Sequence, residues 1–132
     1  MPVGYLDVPV GVDLDRKKDL MAAIYAAVSE VYPFPDDTRI FLREWAADSV
    51  SQNGLLGSEP IRPALTLHVP KGVDGEPIRV LMRKLNDAVG LAYQLPDFIT
   101  FLHEHSLDVV AVNGTVLADD QQRVEAQTKV YG

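Results

Sequence analysis

Cysteine is absent from all 132 residues. That absence excludes disulfides, thiolate nucleophiles and cysteine-ligated metals. Basic residues are scarce: 12 Lys and Arg against 19 Asp and Glu leave a formal net charge of -7 at pH 7. An acidic surface suits neither a phosphate backbone nor an anionic bilayer, so no nucleic acid and no membrane is expected as a partner. The acidity serves solubility. No apolar run approaches the roughly 18 residues that a membrane span needs. The opening Met1-Pro2-Val3-Gly4-Tyr5 has neither the basic nor the apolar segment of a secretory signal. The chain therefore reads as cytoplasmic. His68, His103 and His105 have no recognisable metal spacing, although His103 and His105 alternate onto one strand face. No metal and no cofactor is expected.

What the chain does have is a copy of itself. Hydrophobic residues at 47% and charged residues at 23% are the balance of an ordinary globular domain. Within that ordinary composition, a shift of 61 positions lays Pro2 on Pro63, Leu6 on Leu67, Val8 on Val69 and Pro9 on Pro70. Gly11-Val12-Asp13 falls on Gly72-Val73-Asp74, Leu20-Met21 on Leu81-Met82 and Ala27-Val28 on Ala88-Val89. Tyr32 then falls on Tyr93, and Pro35-Asp36 on Pro96-Asp97. Further on the shift becomes 60, with Phe41-Leu42 on Phe101-Leu102, Glu44 on Glu104 and Asn53-Gly54 on Asn113-Gly114. Repeat one covers about 2–54, repeat two about 63–114, and 115–132 form a polar tail, all in a single domain of 1–132.

Each copy has one plan. Residues 2–8 alternate and carry Val, Tyr and Leu, which predicts a strand that Pro9 and Gly11 end. Asp13 is placed to cap a helix with its carboxylate. Leu20, Ile24, Ala27, Val28 and Val31 then recur at helical spacing, and Pro33 and Pro35 stop the helix. Residues 38–45 form a second strand. In the second copy the strands are 64–69 and 98–104, and the helix stripe is Ile78, Leu81, Leu85, Val89 and Ala92. A helix between two strands lets them lie parallel in one sheet. The expected fold is α+β: a tandem β-α-β repeat forming a four-stranded mixed sheet with two helices on one face.

A Pro directly after Met, opening a strand of a β-α-β repeat, resembles the tautomerase superfamily. The stretch Thr38-Arg39-Ile40-Phe41-Leu42-Arg43-Glu44-Trp45-Ala46 looks like the second strand of 4-oxalocrotonate tautomerase, with its early arginine and its Glu-x-Ala end. Gly57-Ser58-Glu59-Pro60 with Leu65-Thr66-Leu67-His68 is similar to the central connection of macrophage migration inhibitory factor. The resemblance implies a homotrimer, with sites near each proline completed by an adjacent subunit. It implies a small-molecule carboxylate or keto-enol substrate. It also implies that Pro2, once Met1 is removed, is the catalytic amine, and Pro63 is internal and has no free amine.

A terminal proline is a secondary amine. An apolar pocket and a nearby guanidinium lower its pKa toward neutrality, where a general base works best. Val3, Phe41, Val50 and Leu55 are the expected lining. Arg39 is the candidate for gripping a carboxylate or polarising a carbonyl, against the alternative of a surface pair with Asp36 or Asp37. Arg43 and Trp45 share its strand face, although Trp45 in such a place also serves as packing. Lys71 follows the third strand, where some relatives hold substrate-binding cations. Thr100 stands in the place of Arg39 in the second copy and would offer a hydroxyl. The sequence departs from short tautomerases after Gly11, where Val12 replaces a second arginine, so a substrate held by two carboxylates is not expected. The leading reading is a tautomerase or isomerase. The rivals are a hydratase, dehalogenase or decarboxylase of a short oxo-acid on the same scaffold, and a non-enzymatic ferredoxin-like ligand-binding domain.

Overall fold

The computed structural model describes residues 2–32, 38–94 and 97–131. The expected helix stops at Pro33 and Pro35, the acids Asp36 and Asp37, and Met1 lie outside the described residues. Strand β1 (Val3–Pro9) leads to helix α1 (Leu14–Ser29) and strand β2 (Arg39–Trp45). A hairpin of β3 (Ser51–Gln52) and β4 (Leu55–Leu56) follows. The second copy repeats this with β5 (Ala64–Pro70), α2 (Glu76–Tyr93), β6 (Ile99–His105) and the hairpin β7 (Ala111–Val112) and β8 (Thr115–Val116). Much of the polar tail forms α3 (Gln121–Tyr131). No helix among the described residues is long and apolar enough to cross a membrane.

The four long strands form one sheet in the order β2-β1-β5-β6. Each copy contributes a parallel pair, and the copies meet through the antiparallel pair β1 and β5. The parallel strands of each unit are direct neighbours, unlike the split β-α-β of a ferredoxin-like domain. Alternation assigns the two faces. Leu6 and Val8 of β1 and Leu65, Leu67 and Val69 of β5 point to the side covered by both helices and are wholly buried. Ile24 and Val28 of α1 and Leu81, Leu85 and Val89 of α2 meet them. Each such side chain contributes roughly 1.5–3 kcal/mol by leaving water. Gly4 lets the core close, because a Cβ there would sit 3.0 Å from both Ile40 Cδ1 and Leu67 Cδ1.

Local chemistry fixes the ends. Asp13 caps α1 by accepting the Arg16 backbone N–H at 2.9 Å. Asn53-Gly54 and Asn113-Gly114 turn the hairpins with φ of 53° and 82°, and of 52° and 82°. Two successive positive φ angles are what a tight hairpin turn of this class requires. The first hairpin does not fold back to its own copy's proline. The buried Gln52 donates to the carbonyls of Ser58 and Pro60 at 3.0 and 2.9 Å and accepts the Arg62 backbone N–H at 2.8 Å. The hairpin is thereby tied to the segment that leads into Pro63 and β5. The second hairpin lies by the start of β1, where residues 109–111 share a cavity with Val3 and Tyr5.

Candidate active site

The face of the sheet away from the helices carries three rows of side chains. Arg39, Val3, His68 and His103 form the row nearest Pro2. Phe41, Tyr5, Thr66 and Phe101 cross the middle, and Arg43, Asp7, Ala64 and Ile99 form the row nearest Pro63. Trp45 pairs with Pro9 beyond the last row, and His105 with Pro70 beyond the first.

Pro2 is buried at the head of β1. Its carbonyl accepts the Arg39 backbone N–H at 3.0 Å, which fixes the start of β2 beside it. Val3, the residue after Pro2, borders a cavity of about 440 Å³, walled also by Tyr5, His68 and His105 from the sheet and by residues 109–111. Arg39 is exposed on this face, and among the described residues no carboxylate pairs with it. Lys71 follows β5 at the same end, with its backbone N–H bonded to the His105 carbonyl at 2.9 Å. The structure thus gathers Pro2, Arg39 and Lys71 at one end of the sheet.

It places the other candidates elsewhere. Arg43 makes a two-pronged ion pair with Asp7, from Nε to Oδ1 and Nη2 to Oδ2, both at 2.9 Å. Trp45 Nε1 donates to Asp7 Oδ1 at 2.8 Å, and the Arg43 guanidinium lies 4.9 Å from the Tyr5 ring centre. Burial alone would raise the Asp7 pKa, but the hydrogen bonds from Arg43 and Trp45 and the Arg43 charge outweigh it and hold the carboxyl below its ordinary value. Thr100 does not occupy the counterpart of the Arg39 position. Ile99 does, since its N–H donates to the Pro63 carbonyl at 3.2 Å as Arg39 donates to Pro2. Thr100 pairs with Leu65, so its side chain is on the helix side of the sheet. The expected lining needs the same correction. Val3 borders the cavity, but Phe41 is stacked on Tyr5 at 5.5 Å in the middle row, and Val50 and Leu55 belong to the hairpin tied to the Pro63 end.

Strand alternation puts His103 and His105 on one face, and the pairing of β5 with β6 adds His68 to them. The three rings meet: His68 lies 5.1 Å from His103 and 5.0 Å from His105, centre to centre. Burial lowers the His68 pKa, and the charges of His105 and His103 lower it further. The signal was available. The shifts of 61 and 60 carry Asp7 onto His68, Arg43 onto His103 and Trp45 onto His105. Among the described residues no group of three or more His, Asp or Glu is placed to hold a metal ion.

An antiparallel pair of β-α-β units in one four-stranded sheet is also the fold of fused 4-OT and related solved structures. Solved structures share it over most of their length. A fused 4-OT described as a wild-type symmetric trimer superimposes with a TM-score of 0.81 at 22% identity, over 90% of this chain and 98% of that one. Pt0534, described as inactivated by 2-oxo-3-pentynoate, gives 0.79 at 16% identity over 92% and 99%. A member of the cis-3-chloroacrylic acid dehalogenase family gives 0.74 at 12% identity over 93% and 88%. At these identities the likeness is one of fold. No protein-family model matches the chain, and neither does any curated protein.

Proposed function

We propose that the chain is a tautomerase-superfamily enzyme that moves a proton in a small enol or α-keto acid. The observation that carries this is the position of Pro2, buried at the head of β1, tied to Arg39 and next to the cavity at Val3. With Met1 removed, the Pro2 nitrogen is a secondary amine in largely apolar surroundings, which favour its neutral, basic form. It takes a proton from carbon or from an enol oxygen and returns it at the other position. Arg39 orients the substrate and holds the negative charge that develops on oxygen, a role suited to a preorganised guanidinium. Pro63 is bonded on both sides and does no such chemistry.

The working assembly is a homotrimer. Phe41, Phe101, Ile99 and Trp45 stay 39–51% exposed on the sheet face opposite the helices, a concentration of large apolar side chains that a neighbouring subunit would cover. The fused 4-OT with this fold is described as a trimer. Arg43, Trp45 and Lys71 would then face a neighbour as well as their own strand. Hydration, dehalogenation or decarboxylation of a short oxo-acid is the second reading, favoured by the fold shared with a cis-3-chloroacrylic acid dehalogenase family member.

One experiment addresses the amine directly. The protein is incubated with 2-oxo-3-pentynoate and assayed on phenylenolpyruvate, 2-hydroxymuconate and halogenated acrylates. A single adduct on the Pro2 nitrogen, parallel loss of phenylenolpyruvate turnover, and no adduct when Met1 is retained are expected. Full turnover by the Met1-retaining protein would refute the mechanism.

A further inference from the structure

The second copy puts three imidazoles where the first puts a carboxylate, a guanidinium and an indole. His68 Nδ1 and His105 Nε2 stand 2.8 Å apart. Both rings border the cavity beside Val3, and Tyr5 meets the His68 ring edge to face at 6.0 Å. Two ring nitrogens at that distance share one proton, one donating and the other accepting. In a neutral pair the two outer nitrogens are one donor and one acceptor. With one added proton both become donors. With two, a pair of N–H groups would face each other across the contact. The pair therefore carries no charge or one positive charge, and a bound anion selects the charged form.

Among the described residues no carboxylate is bonded to either ring of the pair. Among the described sheet residues on this face the single carboxylate is Asp7, which lies at the far end bonded to Arg43 and Trp45. Glu104 of β6 and Glu44 of β2 are on the helix side, and Glu44 is bonded to Lys17. The groups that do face the pair are His103 on β6, Tyr5 on β1 and, across Val3, Arg39 on β2. Lys71 follows at the strand end, and Asp108 lies in the exposed turn before residues 109–111. Burial and the charges of the neighbouring imidazoles hold His68 below the ordinary imidazole value.

We propose that the His68–His105 pair is the carboxylate anchor of the cavity bordered by Val3, and that a small monocarboxylate binding there draws a proton into the pair. The inference rests on the reading of that cavity as the reaction site and narrows its substrate class. The ligand is a short acid with one carboxylate on the imidazole side and an apolar body against Val3, Tyr5 and residues 109–111. Arg39 is then left for the carbonyl or enolate oxygen.

Calorimetric titration of the full chain with phenylacetate, in buffers of different ionisation heat, reads the protons taken up per ligand. Uptake of up to about one proton is expected near pH 7.5, falling as the pH is lowered and the free pair comes to hold the proton itself. Phenylacetamide, with the same body and no charge, binds without uptake. His68→Gln and His105→Gln each weaken phenylacetate roughly ten- to a hundredfold and abolish uptake. The terminal amine and His103 are intact in both variants, so uptake that survives them belongs to one of those groups and overturns the proposal. Wild-type protein that shows no uptake with phenylacetate, or does not bind it, overturns it without any variant. Uptake by a protein that turns over no keto-enol substrate upholds the anchor and removes the tautomerase reading. Turnover without uptake does the reverse.

Discussion

The two ends of the sheet are built on the same backbone and differ in what they hold. At the Pro63 end, Asp7, Arg43 and Trp45 close into a satisfied network in which each charge has a partner. At the Pro2 end, the same three strand positions hold His68, His103 and His105, whose rings meet one another and, among the described residues, pair with no carboxylate. A closed network stiffens an end and leaves nothing over for a ligand. An open cluster beside a cavity costs stability and leaves hydrogen-bonding capacity to spend. The proline heading the locked end is internal, and the proline heading the open end is the one a processed chain would free. Duplication thus supplied two equivalent places, and the residues at each tell them apart.

The largest effect should separate the two prolines. Pro2→Ala should lower kcat/KM on phenylenolpyruvate by about a hundred- to ten-thousandfold, the usual cost of losing a general base. Pro63→Ala should leave it nearly unchanged, with light scattering confirming the same assembly for both. Equal losses would erase the distinction between the ends. Next comes the residue after each proline's strand partner. Arg39→Ala should cost about ten- to a hundredfold in kcat/KM on acidic substrates, the worth of a charged hydrogen bond, whereas Ile99→Ala at the equivalent place should cost little.

A smaller effect belongs to the locked end. Asp7→Asn should lower stability by about 1 kcal/mol, since the pair is partly exposed, and should leave turnover as it was. Urea unfolding measures the first and steady-state kinetics the second. The smallest effect is the acid response. His68 gives up its proton more readily in the folded chain than in the unfolded one, so the unfolded chain binds more protons just below the ordinary value of 6.5. Stability should rise with pH across that window and fall as pH drops through it. Asp7 has the same sign, but its window lies below the ordinary 3.8. Urea midpoints from about pH 5 to 7 should show the first slope, and His68→Gln should flatten it.

Much of this fold was legible because the repeat doubled every signal. The strand alternation, the Asp13 cap, the second helix stripe and both Asn-Gly turns appear in the structure, with strand ends displaced by about one residue, whereas α1 ends at Ser29 and leaves Val31 of the first stripe beyond the helix. The errors came from relations that no single copy contains. Thr100 was matched to Arg39 through a shift of 61, whereas the structure uses 60 there, and a slip of one residue moves a side chain through the sheet. Val50 and Leu55, expected as lining for Pro2, belong to the first copy's hairpin. The antiparallel joint at β1 and β5 instead exchanges the hairpins, so each proline is served by the other copy's turn. His68 was left apart from His103 and His105 because the parallel pairing of β5 with β6 brings them together across 35 residues of chain.

The exchange of hairpins also means that the chain's opening point is a matter of where the loop is cut. A circular permutant opened before Pro63, with the old ends joined by a flexible linker, would keep the same strands and hairpins and free the other proline. Its new amine would stand beside Asp7, Arg43 and Trp45 in place of the imidazoles, and Pro2 would become an ordinary peptide residue. Such a molecule would separate what a terminus contributes from what its surroundings contribute. Replacing Asp7, Arg43 and Trp45 with histidine and Ile99 with arginine within it would then build a matching set of side chains around the new amine at the opposite end of the sheet.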